Sequence, residues 1–62
     1  MIYVEYDYFK KSDGKWHQGV TMFDTPKKAS RFIRSMSSKK GMFYTGFTAD
    51  DSEECEEMNR LI

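Results

Sequence analysis

The chain has one cysteine, one histidine, one proline, no net charge and no long apolar run. Each shortage closes a class of function. A lone thiol, Cys55, forms no intrachain disulfide, so stability rests on packing, and the expected setting is a reducing one, the cytoplasm. Cys55 and His17 stand far apart, without the paired soft ligands that zinc requires, so neither a metal nor another cofactor is expected. No stretch approaches the roughly 18 apolar residues of a membrane helix. No basic segment followed by an apolar one opens the chain, so it reads as neither exported nor inserted in a membrane.

Catalytic patterns are equally scarce. No glycine-rich phosphate loop precedes a helix, which argues against nucleotide hydrolysis. His17 falls in a strand-like segment with no nucleophile beside it, and Cys55 reads as a small core residue. The paired carboxylates lie on what reads as an exposed helix, away from the apolar pocket that acid catalysis uses. The expectation is a protein that binds and is not an enzyme.

What the chain does have is aromatic bulk and sorted charge. Sixty-two residues make one domain, 1–62, and a chain this short buries only about 60% of the surface exposed by its unfolded form. Four Tyr, five Phe and one Trp supply large area per buried side chain and are the means of building a core. Six bases and no acid lie between Lys27 and Lys40, and six acids and no base between Asp50 and Glu57. The molecule is bipolar, which matters for its partners more than its zero net charge.

Residues 2–9 alternate Ile2, Val4, Tyr6, Tyr8 against Tyr3, Glu5, Asp7, Phe9, the period of a strand. Residues 15–24 form a second strand, and Ser12-Asp13-Gly14 reads as a three-residue hairpin loop with Gly14 left-handed. Pairing Lys11 with Lys15 places Trp16, Val20 and Met22 on the face of Ile2, Val4, Tyr6 and Tyr8. That register puts Tyr3, Phe9, His17 and Phe23 together on the other face. Asp24-Thr25-Pro26 starts a helix with Thr25 as its cap. Ala29, Phe32, Ile33 and Met36 form its apolar stripe, with Gly41 as the stop.

Met42–Thr48 reads as a third strand, with Gly46 as a bulge or close-approach point. A second helix follows, with Asp50 as cap, Glu53 in capping-box spacing, and Cys55, Met58, Leu61 and Ile62 along one side. The predicted fold is α+β, in order β-β-α-β-α, with a three-stranded antiparallel sheet of strand order 2-1-3 and two helices.

Three surfaces carry the functional expectations. The acidic one, Asp50, Asp51, Glu53, Glu54, Glu56 and Glu57, offers a row of carboxylates that imitates a phosphate backbone and competes for a nucleic-acid-binding groove. Much of its first turn is also explained by stabilisation of the helix end. The aromatic one, Tyr3, Phe9, His17 and Phe23, is bare if both helices take the opposite side, and fits a protein partner or a second copy of the chain. It is core if the second helix crosses over. The basic one, Lys27, Lys28, Arg31, Arg34 and Lys39, either is an ordinary solvated helix face or binds phosphate at the helix N-terminus. Nucleic acid is therefore the alternative partner.

The segment Gly14-x-Trp16 leading to Phe23-x-Thr25-x-Lys27-x-Ala29 resembles the strand-into-helix part of arm-type DNA-binding domains of phage integrases. Those domains place three strands before the helix and this chain places two, so no site residue is carried over. In size, lysine-rich style and acidic terminal helix the whole chain looks like small single-domain proteins of bacteriophages and mobile elements of Gram-positive bacteria. That resemblance implies a module that binds and blocks a host nucleic-acid-processing enzyme or defence complex.

Overall fold

The alternation of residues 2–9 becomes the central strand of the sheet. In the computed structural model, which describes residues 1–62, β1 (Ile2–Lys10) pairs antiparallel with β2 (Lys15–Phe23) on one side and with β3 (Met42–Ala49) on the other. The strand order is β2-β1-β3, with the helices α1 (Pro26–Met36) and α2 (Ser52–Leu61) following β2 and β3, as the sequence pattern predicts. β2 and β3 thus run in the same direction on either side of β1, and α1 carries the chain across the sheet between them.

The hairpin register differs from expectation by one residue. Lys10, not Lys11, pairs with Lys15, so the loop has four residues, Lys11 to Gly14. The Lys10 carbonyl accepts from the Gly14 N–H at 2.9 Å and the Asp13 N–H at 3.4 Å, while Asp13 Oδ1 accepts from the Lys15 N–H at 3.0 Å. Gly14 adopts a φ of 68°, which closes the loop at little steric cost. A one-residue shift turns every side chain of β2 over. Ile2, Val4, Tyr6 and Tyr8 therefore share a face with Phe23, Thr21, Gly19 and His17, and Trp16, Val20 and Met22 lie on the other.

The core explains why that register wins. Ile2 and Val4 from β1, Ala29 and Met36 from α1, and Met58 from α2 form the buried cluster, so both helices cover the same side of the sheet. Around them Tyr6, Phe23, Phe32 and Phe47 pack partly buried; the Phe32 ring meets Tyr6 at 5.4 Å and Phe23 at 5.2 Å. Gly19 lacks the side chain that would collide with the Tyr6 ring, and the Tyr6 hydroxyl hydrogen-bonds Thr21 Oγ1 at 2.9 Å. The polar-looking side of β2 is thus the one shaped for the central tyrosine.

The helix ends show smaller departures. Thr25 caps α1 as expected, its Oγ1 accepting from the Lys28 N–H at 3.3 Å. The helix stops at Met36, before Gly41, where Ser35, Ser37 and Ser38 each donate a hydroxyl to the carbonyl three residues back. Such bonds compete with continued helix and satisfy its last carbonyls. Asp51, not Asp50, caps α2, accepting from the Glu54 N–H at 2.8 Å, because the Asp50 N–H extends the sheet ladder to the Met1 carbonyl at 3.1 Å. α2 turns Met58 inward with Leu61 partly buried, and leaves Cys55 and Ile62 exposed, contrary to the expected stripe. No helix is long and apolar enough to cross a membrane.

Candidate functional site: the bare face of the sheet

With both helices on the Ile2/Val4 side, the opposite face has no covering layer. The expected aromatic set is divided by the register: Tyr3 and Phe9 lie on the bare face, whereas His17 and Phe23 point to the helix side. Trp16, Val20 and Met22 take their place, joined by Phe43 of β3, which shares a face with Asp7. These side chains are large and open, Phe9 at 41% exposure, Trp16 at 52%, Val20 at 59%, Met22 at 61% and Phe43 at 63%. Scattered exposed apolar residues are ordinary, but five on one face make a patch.

Ring geometry joins the patch across all three strands. The Trp16 ring lies 5.5 Å from Phe9, edge-on at 64°, and 5.4 Å from Phe43 at 36°. Because β1 separates β2 from β3, Trp16 and Phe43 reach over the central strand to meet. The three rings pack on one another and form one continuous aromatic surface.

Beside the rings lies a hollow of about 320 Å³ whose walls include Glu5, Gln18, Val20 and Thr45. Two local features adjoin it. The β1–β3 register slips between Glu5 and Tyr6, and Gly46 stands opposite Glu5 with no side chain. A Cβ at Gly46 would stand at an ordinary contact distance, 3.9 Å, from Glu5 Oε2. Glu5 and Asp7 are the charged residues of this face; none of its strand positions carries Lys or Arg.

Compared with known protein families, with curated proteins and with solved structures, the chain matches none. Its surfaces carry the functional reading by themselves.

The acidic residues are partly committed to local structure. Glu54 holds the N-terminal ammonium through both carboxylate oxygens at 2.9 and 2.7 Å, and Asp50 lies 3.6 Å from the same ammonium and 3.5 Å from the Tyr3 hydroxyl. Its hydrogen bonds to Glu54, aided by the charges of Glu54 and Asp50, raise the pKa of that ammonium above its ordinary value. Asp51 is the α2 cap. Glu53 and Glu56 remain exposed and Glu57 half-buried, so the carboxylate row is shorter than the sequence implies.

The basic residues Lys27, Lys28, Arg31, Arg34 and Lys39 are all exposed, and none forms an ion pair with an acid of α2. Lys28 pairs with Asp24 at 3.1 Å, and its hydrogen bond and charge hold the Asp24 carboxyl below the usual range. Asp24 also explains why two lysines are tolerated in the first helical turn: it puts a carboxylate beside the positive end of the helix. Lys27, Lys28, Arg31 and Arg34 lie on α1, in the helix layer, whereas Lys39 follows the end of α1 and lines a groove together with Phe43.

His17 serves the hairpin. Its Nε2 is 2.7 Å from Asp13 Oδ2, and its ring stacks on Tyr8 at 5.6 Å and 26°. Burial by itself would raise the pKa of Asp13, but the Lys15 N–H and the His17 ring outweigh it and lower that pKa. No group of three or more His, Cys, Asp or Glu is placed to hold a metal ion.

Proposed function

We propose that this chain is a non-catalytic protein-binding module and that its contact surface is the bare sheet face rather than the acidic helix. The observation that carries the reading is the half-exposed ring cluster of Phe9, Trp16 and Phe43, continued by Val20 and Met22 on the same face. An apolar surface of this kind is costly to leave in water, and aromatic side chains in shallow relief are the usual anchors of protein interfaces. Glu53 and Glu56 supply at most a charged rim, which steers association more than it holds a complex. In this reading an inhibitory role against a host nucleic-acid-processing or defence protein is exercised through the rings.

Base stacking on the same rings is disfavoured by charge. Glu5 and Asp7 lie among them and repel a phosphate chain, while Lys27, Lys28, Arg31 and Arg34, which would hold one, lie on α1 in the helix layer.

Trp16 is the single tryptophan, so its emission reports this face alone. The test recovers partners from the native cell extract with the wild-type chain, with Trp16→Ala and Phe43→Ala, and with Glu53→Gln/Glu56→Gln. A purified partner is then added back to the wild-type chain. The reading expects loss of the partner with either ring variant, retention with the glutamine variant, and a blue shift of Trp16 emission on binding. Retention by both ring variants sinks it.

One observation favours a second reading, nucleic-acid binding through the outer face of α1 and the segment after it: Lys27, Arg31 and Arg34 of the helix and Lys39 beyond its end are exposed and unpaired. Titration with duplex and single-stranded DNA at low and moderate salt decides it. Binding at low salt that weakens as salt rises and is lost in Arg31→Ala/Arg34→Ala supports this alternative, and no binding at low salt removes it.

A further inference from the structure

Resting on the protein-binding reading, we propose that the occupant of the bare face is a cationic amphipathic segment of another protein, whose Lys or Arg enters the hollow beside Glu5 while apolar neighbours lie on Trp16, Phe43 and Phe9. The charge of the face is the first ground. Its ionisable carboxylates, Glu5 and Asp7, sit on the central strand, Glu5 between Val20 and Gly46 and Asp7 between Gln18 and Phe43, and no strand position of the face carries a Lys or Arg to neutralise them. A partner that covers the rings must also cover these carboxylates, and covering an anion without a counter-charge is unfavourable. A cation delivered with the apolar contact removes that penalty, and the neighbouring ring faces attract the same cation.

The shape of the hollow gives the second ground. Glu5 is exposed and lines the hollow with Val20, Gln18 and Thr45, next to the register slip between Glu5 and Tyr6. A long side chain with an apolar stem and a charged tip fits such a place, its stem along Val20 and its tip at the carboxylate and the amide of Gln18.

A second copy of the chain fits poorly. Two identical faces packed together are related by a two-fold axis lying in the interface, so an arrangement centred on β1 sets Glu5 and Asp7 against their own counterparts. The face is also small. Three strands about 4.8 Å apart and nine residues long at about 3.3 Å each make a footprint of roughly 14 by 30 Å. That is about half of the roughly 800 Å² per partner that stable protein pairs bury. The length suits one extended segment of about nine residues, at the same rise of about 3.3 Å.

The experiment uses the whole chain and three short blocked peptides, alternating Lys-Leu, Glu-Leu and Ser-Leu, with Trp16 emission as the readout and sedimentation of the free chain alongside. The expected result is binding of the Lys-Leu peptide in preference to both others, weakened at least about tenfold by Glu5→Gln/Asp7→Asn and unchanged by Glu53→Gln/Glu56→Gln. Glu5→Gln alone, at an exposed position, gives a partial loss and covers the case in which the double variant misfolds. Equal binding of all three peptides, insensitive to Glu5 and Asp7, overturns the cationic partner and leaves a protein-docking face. Failure of every peptide to shift Trp16 counts against the protein-binding reading itself. A chain that sediments as a dimer with shielded Trp16 overturns the proposal in favour of a second copy.

Discussion

The ring of Tyr6 occupies the space that a side chain at Gly19 would need: a Cβ there would lie 2.7 Å from Tyr6 Cε2 and 2.8 Å from Cζ. The ring has little room to retreat, since Phe32 packs against it at 5.4 Å and its hydroxyl is tied to Thr21. Gly19→Ala is therefore expected to destabilise the fold by about 1–3 kcal/mol through overpacking. Tyr6→Phe, which keeps the ring and loses the hydrogen bond, is expected to cost about 0.5–1.5 kcal/mol. Urea denaturation followed by far-UV circular dichroism measures both, and an unchanged midpoint for Gly19→Ala contradicts the register.

The two faces of the sheet should respond differently to truncation. Ile2 and Met58 are fully buried, and either one changed to Ala is expected to lose about 2–5 kcal/mol. Trp16→Ala removes a larger side chain, yet that ring is half exposed and its contacts are to other exposed rings. Its cost is expected to be about 1 kcal/mol or less. A Trp16 variant as unstable as the Ile2 variant shows that the rings are core.

Alkaline pH should loosen the join between the start of β1 and α2. The bonds that the Met1 ammonium donates to Glu54 raise its pKa above 8.0, so their stabilisation is complete below that value and is lost as pH rises through the folded-state pKa. Urea midpoints should fall across this range in the wild-type chain more than in Glu54→Gln. Parallel curves for the two proteins show that the pair contributes nothing.

Strong acid should loosen the hairpin loop. The Lys15 N–H and His17 hold the pKa of Asp13 below its ordinary 3.8, against the opposing effect of burial. The contribution is present above the ordinary value and is lost as pH falls through the lowered one. Asp13→Asn should flatten that limb of the stability curve, and amide exchange at Gly14 and Lys15 locates the change. Acid loss of equal size in the variant assigns the effect to other carboxylates.

Much of the architecture is legible in the chain because its signals are local. Thr25-Pro26 starts a helix, Asp13-Gly14 turns a hairpin, and the alternation of residues 2–9 marks a strand with two distinct faces. The face assignment of β2 is not local. Trp16, Val20 and Met22 look like its core side by hydrophobicity, whereas Gly19 and Thr21 line the core because one makes room for Tyr6 and the other bonds it. The misplaced register exchanged His17 and Phe23 for Trp16, Val20 and Met22 on the bare face. Phe43 had a signal in its own strand, but placing it beside Trp16 requires the pairing of β3 with β1. The α2 cap moved by one residue for a similar reason, since Asp50 is held by the strand ladder at the Met1 carbonyl.

Acrylamide quenching of Trp16 in the free chain, taken across a dilution series, reaches the centre of this account. A sheet with both helices on one side and an unoccupied ring cluster on the other predicts water-like emission and ready quenching at every concentration. Blue-shifted emission that resists the quencher even at high dilution means that the chain covers these rings itself, and the bare face does not exist.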